Sequence, residues 1–208
     1  MESPDHLLLM LGIDHHRAGV AVRERLAFTA ASLPAALAAF KAAPDVEECV
    51  LVSTCNRTEL YAVVTGHPHV EGAARSVRRL LADYHGLPFE DVAESTYCLD
   101  DLDVARHLFR VSSGLDSMIV GEVEILGQVR EAMKAAQGAR TIGKWLSTLF
   151  RHALQVGKRA RSETGISHNA ASVSYAAVEL ARNLIGDLAA SQVLLIGAGH
   201  TAELDGRV

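Results

Sequence analysis

The 208-residue chain is poor in cysteine: Cys49, Cys55 and Cys98 form an odd, sparse set with no C-x-x-C pair. That argues against a disulfide framework and structural zinc, and is the usage expected of a protein whose thiols stay reduced. No apolar run approaches the ~18–20 residues that a membrane-spanning helix needs. Basic residues are missing from the start, MESPDHLLLMLGIDHH, where acids stand in place of the Lys or Arg of a signal peptide. A cytoplasmic protein is therefore expected, with no membrane partner. There is no internal repeat and no low-complexity linker. His15-His16 and His67-Pro68-His69 lack Cys or carboxylate partners at ligand spacing, so no metal site is read. What is present, 49% hydrophobic and 22% charged residues, is the balance of a folded globular protein and excludes a disordered one.

The net charge of −5 speaks against a polyanionic partner until its distribution is considered. Between Arg130 and Arg161 stand eight Lys or Arg against a single acid, Glu131, so this segment is +7 and the rest of the chain −12. Two readings stay open: a local face for a polyanion, and a solvated helix face that happens to be basic.

Along the first hundred residues, short apolar runs alternate with helical spacing. Leu7–Ile13, Cys49–Ser53, Leu60–Thr65 and Ser95–Leu99 read as strands. Ser32–Ala43, with Pro34 in its first turn, and Val70–Tyr84 read as helices. The second and third strands are separated by a six-residue polar break and are expected to pair. This β-α-β-β-α-β order is that of a ferredoxin-like unit. From Leu102 onward the chain reads as helical, broken at Ser112–Ser117, Gly138–Gly143 and Glu163–Asn169. The helix from Lys144 to Arg161 is the clearest: Leu146, Leu149, Phe150, Ala153, Leu154 and Gly157 make one stripe, with Lys144, Arg151 and Lys158 together on one side. A helix at about Ala171–Ile185 and a strand at Gln192–Ile196 follow, then Gly197-Ala198-Gly199-His200-Thr201-Ala202. The expected class is α+β: a ferredoxin-like unit with a helical subdomain over 1–164, then, over 165–208, a lead helix and the first strand and Gly-rich turn of a Rossmann-type domain.

Several residues are of types that carry chemistry. The G-x-G-x-x-A turn after a strand is a dinucleotide fingerprint, in which glycines admit the pyrophosphate to a helix N-terminus. The chain ends nine residues after Gly199, so a complete dinucleotide domain is not expected within it. Cys55, in Ser53-Thr54-Cys55-Asn56-Arg57-Thr58-Glu59, lies at a strand end beside an Arg, where a thiolate would be stabilised and exposed. The plainer alternative is a small buried hydrophobe, which is the reading kept for Cys49 and Cys98. Arg57 either forks onto a ligand carboxylate or pairs with Glu59 or Glu48 at the surface. His107 follows the acids Asp100, Asp101 and Asp103, and lone helical histidines are usually structural. Gly114, Gly121 and Gly127 punctuate a helix-capable stretch at about 1 kcal/mol each, which implies that something approaches the backbone there. Glu124 and Gln128, one turn apart, are placed to face one polar site.

Together, STCNRTELY, GLDSMIVGE followed by ILGQVREA, GKRARSETGIS and LLIGAG, in this order and spacing, resemble the glutamyl-tRNA reductase family. Gly12-Ile13-Asp14-His15 and Arg23-Glu24-Arg25 fit the same family's opening, and the resemblance runs over residues 7–204. It implies that Cys55 is a nucleophile that takes glutamate from the tRNA 3′ ribose as a thioester, which NADPH then reduces to glutamate-1-semialdehyde, opening the five-carbon route to tetrapyrroles. It further implies that Thr54, Asn56 and Arg57 bind substrate, with Arg57 on the glutamate carboxylate. Ser117, Glu122, Val123, Glu124 and Gln128 fall on the family's other substrate block, His107 on a histidine with a proton-transfer or positioning role, and Gly197 to Ala202 on the NADPH loop. Val123-Glu124 departs from the usual Pro-Gln, and Gly19 from a usual Pro. Glutamyl-tRNA(Glu), a second copy in a homodimer, and glutamate-1-semialdehyde aminotransferase are the partners the resemblance implies. A second reading of the chain as given is an acyl-tRNA-binding module that at most hydrolyses its thioester.

Overall fold

The computed structural model describes residues 6–167, 180–186 and 192. The helix expected at Ala171–Ile185 falls partly among them, 180–185 being helical. The turn Gly197–Ala202 and, beyond residue 192, the strand before it lie outside.

Four strands, β1 (His6–Asp14), β2 (Val46–Ser53), β3 (Arg57–Thr65) and β4 (Tyr97–Asp100), form a fully antiparallel sheet in the order β2-β3-β1-β4. With helices between β1 and β2 and between β3 and β4, this is the ferredoxin-like topology expected. The central strands show no alternation: β1 is buried from Leu9 to Asp14 and β3 from Arg57 to Val64. Both faces are covered, which removes the period-two signal of a half-solvated sheet.

One face is covered by α2 (Leu33–Lys41) and α3 (Val70–His85), joined through Phe40 and Tyr84. The other is covered by α5 (Asp101–Ser112) and α7 (Lys144–Glu163), with the Phe150 ring edge-on to Tyr61 at 5.2 Å. Helix α6 (Glu124–Gly138) flanks β2, and its exit closes that strand's free edge. Cys49 donates its N–H to the Thr141 carbonyl at 2.8 Å, and the Thr141 hydroxyl donates to the Cys49 carbonyl at 2.9 Å, capping groups an edge strand would leave open. Glu48, also on β2, is buried because its carboxylate caps α7, accepting the N–H groups of Trp145 and Leu146 at 3.0 and 2.8 Å. Among the described residues no helix is long and apolar enough to cross a membrane.

Three features differ from the sequence-based expectations. Strand β3 starts at Arg57, not Leu60, so the polar break is only Thr54 to Asn56. Two short helices, α1 (Val20–Arg25) and α4 (Phe89–Ser95), were not expected: α1 buries no residue and α4 only Val92, leaving no apolar period to read. Finally, what crowds the glycines is the chain itself. Gly114 (φ +77°) would carry its Cβ 3.1 Å from Gly121 Cα, and Gly121 (φ +87°) would drive one into the Ile166 carbonyl, whereas a Cβ at Gly127 meets nothing. Gly121→Ala combines a left-handed backbone with that collision and is expected to cost at least ~2 kcal/mol. The check is a lower urea midpoint at unchanged m-value.

Candidate active site

The β2–β3 connection is three residues long, and its threonine folds it. The Thr54 hydroxyl accepts the N–H of Asn56 at 3.1 Å and of Arg57 at 3.2 Å, while the Thr54 N–H donates to the Arg57 carbonyl at 2.8 Å. The Asn56 carbonyl accepts the His15 N–H at 3.0 Å, tying the turn to the end of β1. Cys55 therefore sits at the apex of a pinned turn, and it is the one exposed cysteine.

Its electrostatics reverse the expectation of a stabilised thiolate. The crowded setting of the sulfur raises the thiol pKa, and Glu122 and then Glu124 raise it further, against a backbone hydrogen bond and the Arg23 charge that pull the other way. The Arg57 guanidinium, the cation nearest in sequence, is buried and held by Glu59 and Asp116.

Arg57 is 1% exposed. Its Nη1 donates to Glu59 Oε1 at 2.8 Å and to Asp116 Oδ2 at 3.3 Å, and its Nη2 to the Asp116 carbonyl. Glu59 is the partner that sequence reasoning named, but the pair lies in the core rather than at the surface. Glu59 also accepts the Tyr61 hydroxyl at 2.6 Å and faces His107 Nε2 at 2.8 Å. Burial alone would raise the Glu59 pKa. The His107 hydrogen bond and the Arg57 charge outweigh it and bring the carboxyl down to about 2. His107 lies on α5 with Nδ1 4.0 Å from Asp116 Oδ2, so both ring nitrogens face carboxylates of this chain.

The segment between α5 and α6 brings the second block alongside. Ser117 is buried next to Glu122, whose carboxyl is raised by burial and by Glu124. Arg161, counted in the basic segment, is a structural bolt there, donating to the carbonyls of Ser112 and Glu122 at 2.8 Å each and of Gly157 at 3.2 Å. Val123 is exposed. Glu124 and Gln128, with Phe28, Leu51 and Ser53, line one largely apolar cleft of about 670 Å³ between α6 and the region before α2. The structure thus gathers Cys55, Glu122 and Glu124 around the turn, while Arg57 and His107 belong to a buried ion cluster beneath it. Sequence reasoning named Glu59 only as a surface partner of Arg57 and did not single out Tyr61 or Asp116. The available signal was the i, i+2, i+4 spacing of Arg57, Glu59 and Tyr61, which puts all three on one face of a strand. Among the described residues no group of three His, Cys, Asp or Glu side chains is placed to hold a metal ion.

An exposed cysteine on a rigid turn, near the cleft that Glu124 and Gln128 line and above a buried ion cluster on a ferredoxin-like sheet, defines the class: an α+β domain with an accessible thiol at its candidate site. The chain belongs to the glutamyl-tRNA reductase family, residues 11–164 matching the family description "Glutamyl-tRNAGlu reductase, N-terminal domain". It is 47% identical over 201 residues to the glutamyl-tRNA reductase of Pelotomaculum thermopropionicum, covering 97% of this chain and 45% of that protein. With that of Chromohalobacter salexigens it shares 48% over 200 residues, covering 96% and 46%. The solved glutamyl-tRNA reductase of Methanopyrus kandleri is 36% identical and superposes with a TM-score of 0.65, over 100% of this chain and 46% of that one. The chain therefore spans a little under half the length of these relatives.

Proposed function

We propose that this chain is the substrate-binding, thioester-forming part of an NADPH-dependent reductase that converts glutamyl-tRNA(Glu) to glutamate-1-semialdehyde for tetrapyrrole synthesis. The observation that carries this reading is Cys55 at the apex of its pinned turn, open to solvent beside the Glu124–Gln128 cleft. The Cys55 sulfur loses its proton and attacks the ester carbonyl carbon. A C–S bond forms, the C–O bond to the ribose breaks, and the ribose oxygen takes a proton. One ester becomes one thioester with no change of oxidation state, and the thioester is the better hydride acceptor. The nicotinamide cofactor that the family implies would supply that hydride. Its matched residues, Gly197 to Ala202, lie outside the described residues, so the steps assigned to this chain end at the thioester.

Within this reading Thr54 shapes the turn, and Asn56, Ser117, Glu122, Val123, Glu124 and Gln128 surround the acyl group. Arg57 reads the glutamyl carboxylate, and His107 acts through Glu59 as a positioning residue. The homodimer and hand-over to the aminotransferase belong to the same reading of the whole enzyme. The test is incubation of the chain with labelled glutamyl-tRNA. One equivalent of hydroxylamine-labile label is expected on the Cys55 peptide, and label on the Cys49 peptide, or on none, would overturn the assignment.

The RNA itself is assigned to the basic segment. Lys134 and Arg159 are paired with Glu131 and Glu163, and Arg161 is structural, whereas Arg140, Lys144, Arg151 and Lys158 are exposed. Arg151→Glu with Lys158→Glu is expected to flatten the slope of log K against log salt by about two units. An unchanged slope would return the segment to a solvated helix face.

A further inference from the structure

A ligand carboxylate has no open path to Arg57. Glu59, fully buried, holds the inner side of the guanidinium, while Asp116, with 17% of its side chain exposed, lies on the solvent side. The two Asp116 carboxylate oxygens have different partners: Oδ2 is 3.3 Å from Arg57 Nη1, and Oδ1 is 3.5 Å from Nη2 of Arg110, a side chain 52% exposed. Asp116 thus stands between a buried cation and a solvent-facing one, already within reach of both. Its main-chain carbonyl also accepts from Arg57 Nη2, so the side chain can leave Nη1 while the backbone stays docked.

We propose that Asp116 is a specificity-determining residue: it occupies the place of the substrate's side-chain carboxylate on Arg57, and Arg110 receives it when the substrate displaces it. The proposal rests on the reading of Arg57 as the group that binds the glutamyl carboxylate. The exchange conserves charge around Arg57, with one carboxylate leaving Nη1 as another arrives. A glutaminyl ester cannot complete it, because its neutral amide would replace an ion and leave the guanidinium less well compensated, the kind of penalty that makes charge-complementary sites selective. Glu59 is not displaced, since Tyr61, Arg57 and His107 hold it from three sides.

The test uses single-turnover thioester formation by the full chain with glutamyl and glutaminyl esters of tRNA, giving a half-saturating concentration and a maximal rate for each. Asp116→Asn removes the competitor's charge. It is expected to lower half-saturation for the glutamyl ester about three- to tenfold and to narrow its advantage over the glutaminyl ester. Arg110→Ala removes the receiving cation and leaves Asp116 on Arg57, so half-saturation should rise by a similar factor at an unchanged maximal rate. Opposite signs are the signature, because a carboxylate that merely braced the segment would weaken binding in both variants. Weaker or unchanged binding by Asp116→Asn overturns the proposal. Should that variant fail to fold, unchanged half-saturation in Arg110→Ala, an exposed substitution, overturns it alone. Loss of the underlying reading looks different: the unmodified chain would then take up no glutamyl label, or would label equally fast from both esters.

Discussion

Cys55→Ser is expected to slow acyl transfer from glutamyl-tRNA by at least ~10³-fold, because a serine hydroxyl without an adjacent base is scarcely ionised near neutrality. The geometry isolates the effect to one sulfur. Cys49 is buried in β2 with its pKa pushed up to about 11, and Cys98 is half-buried in β4 with its pKa also raised, so Ser at either position should leave acyl transfer intact if the core tolerates it. The crowding of the Cys55 sulfur and the nearby Glu122 and Glu124 hold its own pKa above the ordinary cysteine value. The rate in the unmodified chain should therefore climb with pH throughout the neutral range, tracking the thiolate fraction. Glu124→Gln restores the amide usual in the family and removes one of those charges, so its rising limb should move to lower pH. Single-turnover rates across the pH range check both statements. A Cys55→Ser chain with near-normal rates would remove the thioester from the mechanism.

What could be read in advance divides along physical lines. The strand order followed from apolar runs and their connections, since β1, β2 and β3 are buried on both faces and need continuous Val, Leu and Ile. The α7 stripe was legible because Leu146, Phe150, Ala153 and Gly157 are in fact its buried residues. Arg57 and Glu59 defeated the same method: a charged residue in a fully buried strand reads as a loop until its counter-ions are known. Those counter-ions include Asp116 and His107, which are 59 and 48 positions away. The thiol's environment was hidden for the same reason. Proximity in sequence put Arg57 beside Cys55, but Arg57 already belongs to β3 and is held in the core by Glu59 and Asp116, and the charges that reach the sulfur include those of residues 122, 124 and 23. The glycines were correctly singled out as crowded at 114 and 121, but the neighbour that crowds Gly121 is the chain's own turn at Gly165–Ser167.

The ion cluster carries the second large expectation. Arg57→Met removes a cation from the core and leaves the Glu59 carboxylate, 0% exposed, with only His107 and Tyr61 as partners. Breaking a buried pair from one side typically costs about 3–5 kcal/mol, a large share of the roughly 5–15 kcal/mol that holds a domain together. Denaturant unfolding should show the loss as a lower midpoint. The same cluster sets an acid limit. Glu59 titrates at about 2 in the fold against an ordinary 4.5. Between those values the unfolded chain holds the proton and the folded chain does not, so lowering the pH favours unfolding. The contribution is complete above about pH 5, drains away as the pH falls toward 2, and amounts to a few kcal/mol. Glu59→Gln cannot titrate there: it should be less stable at neutral pH yet decline less steeply in acid, the two curves converging toward pH 2. An acid limb equally steep in Glu59→Gln and in the unmodified chain would place the pH dependence in other carboxylates and deny Glu59 this role.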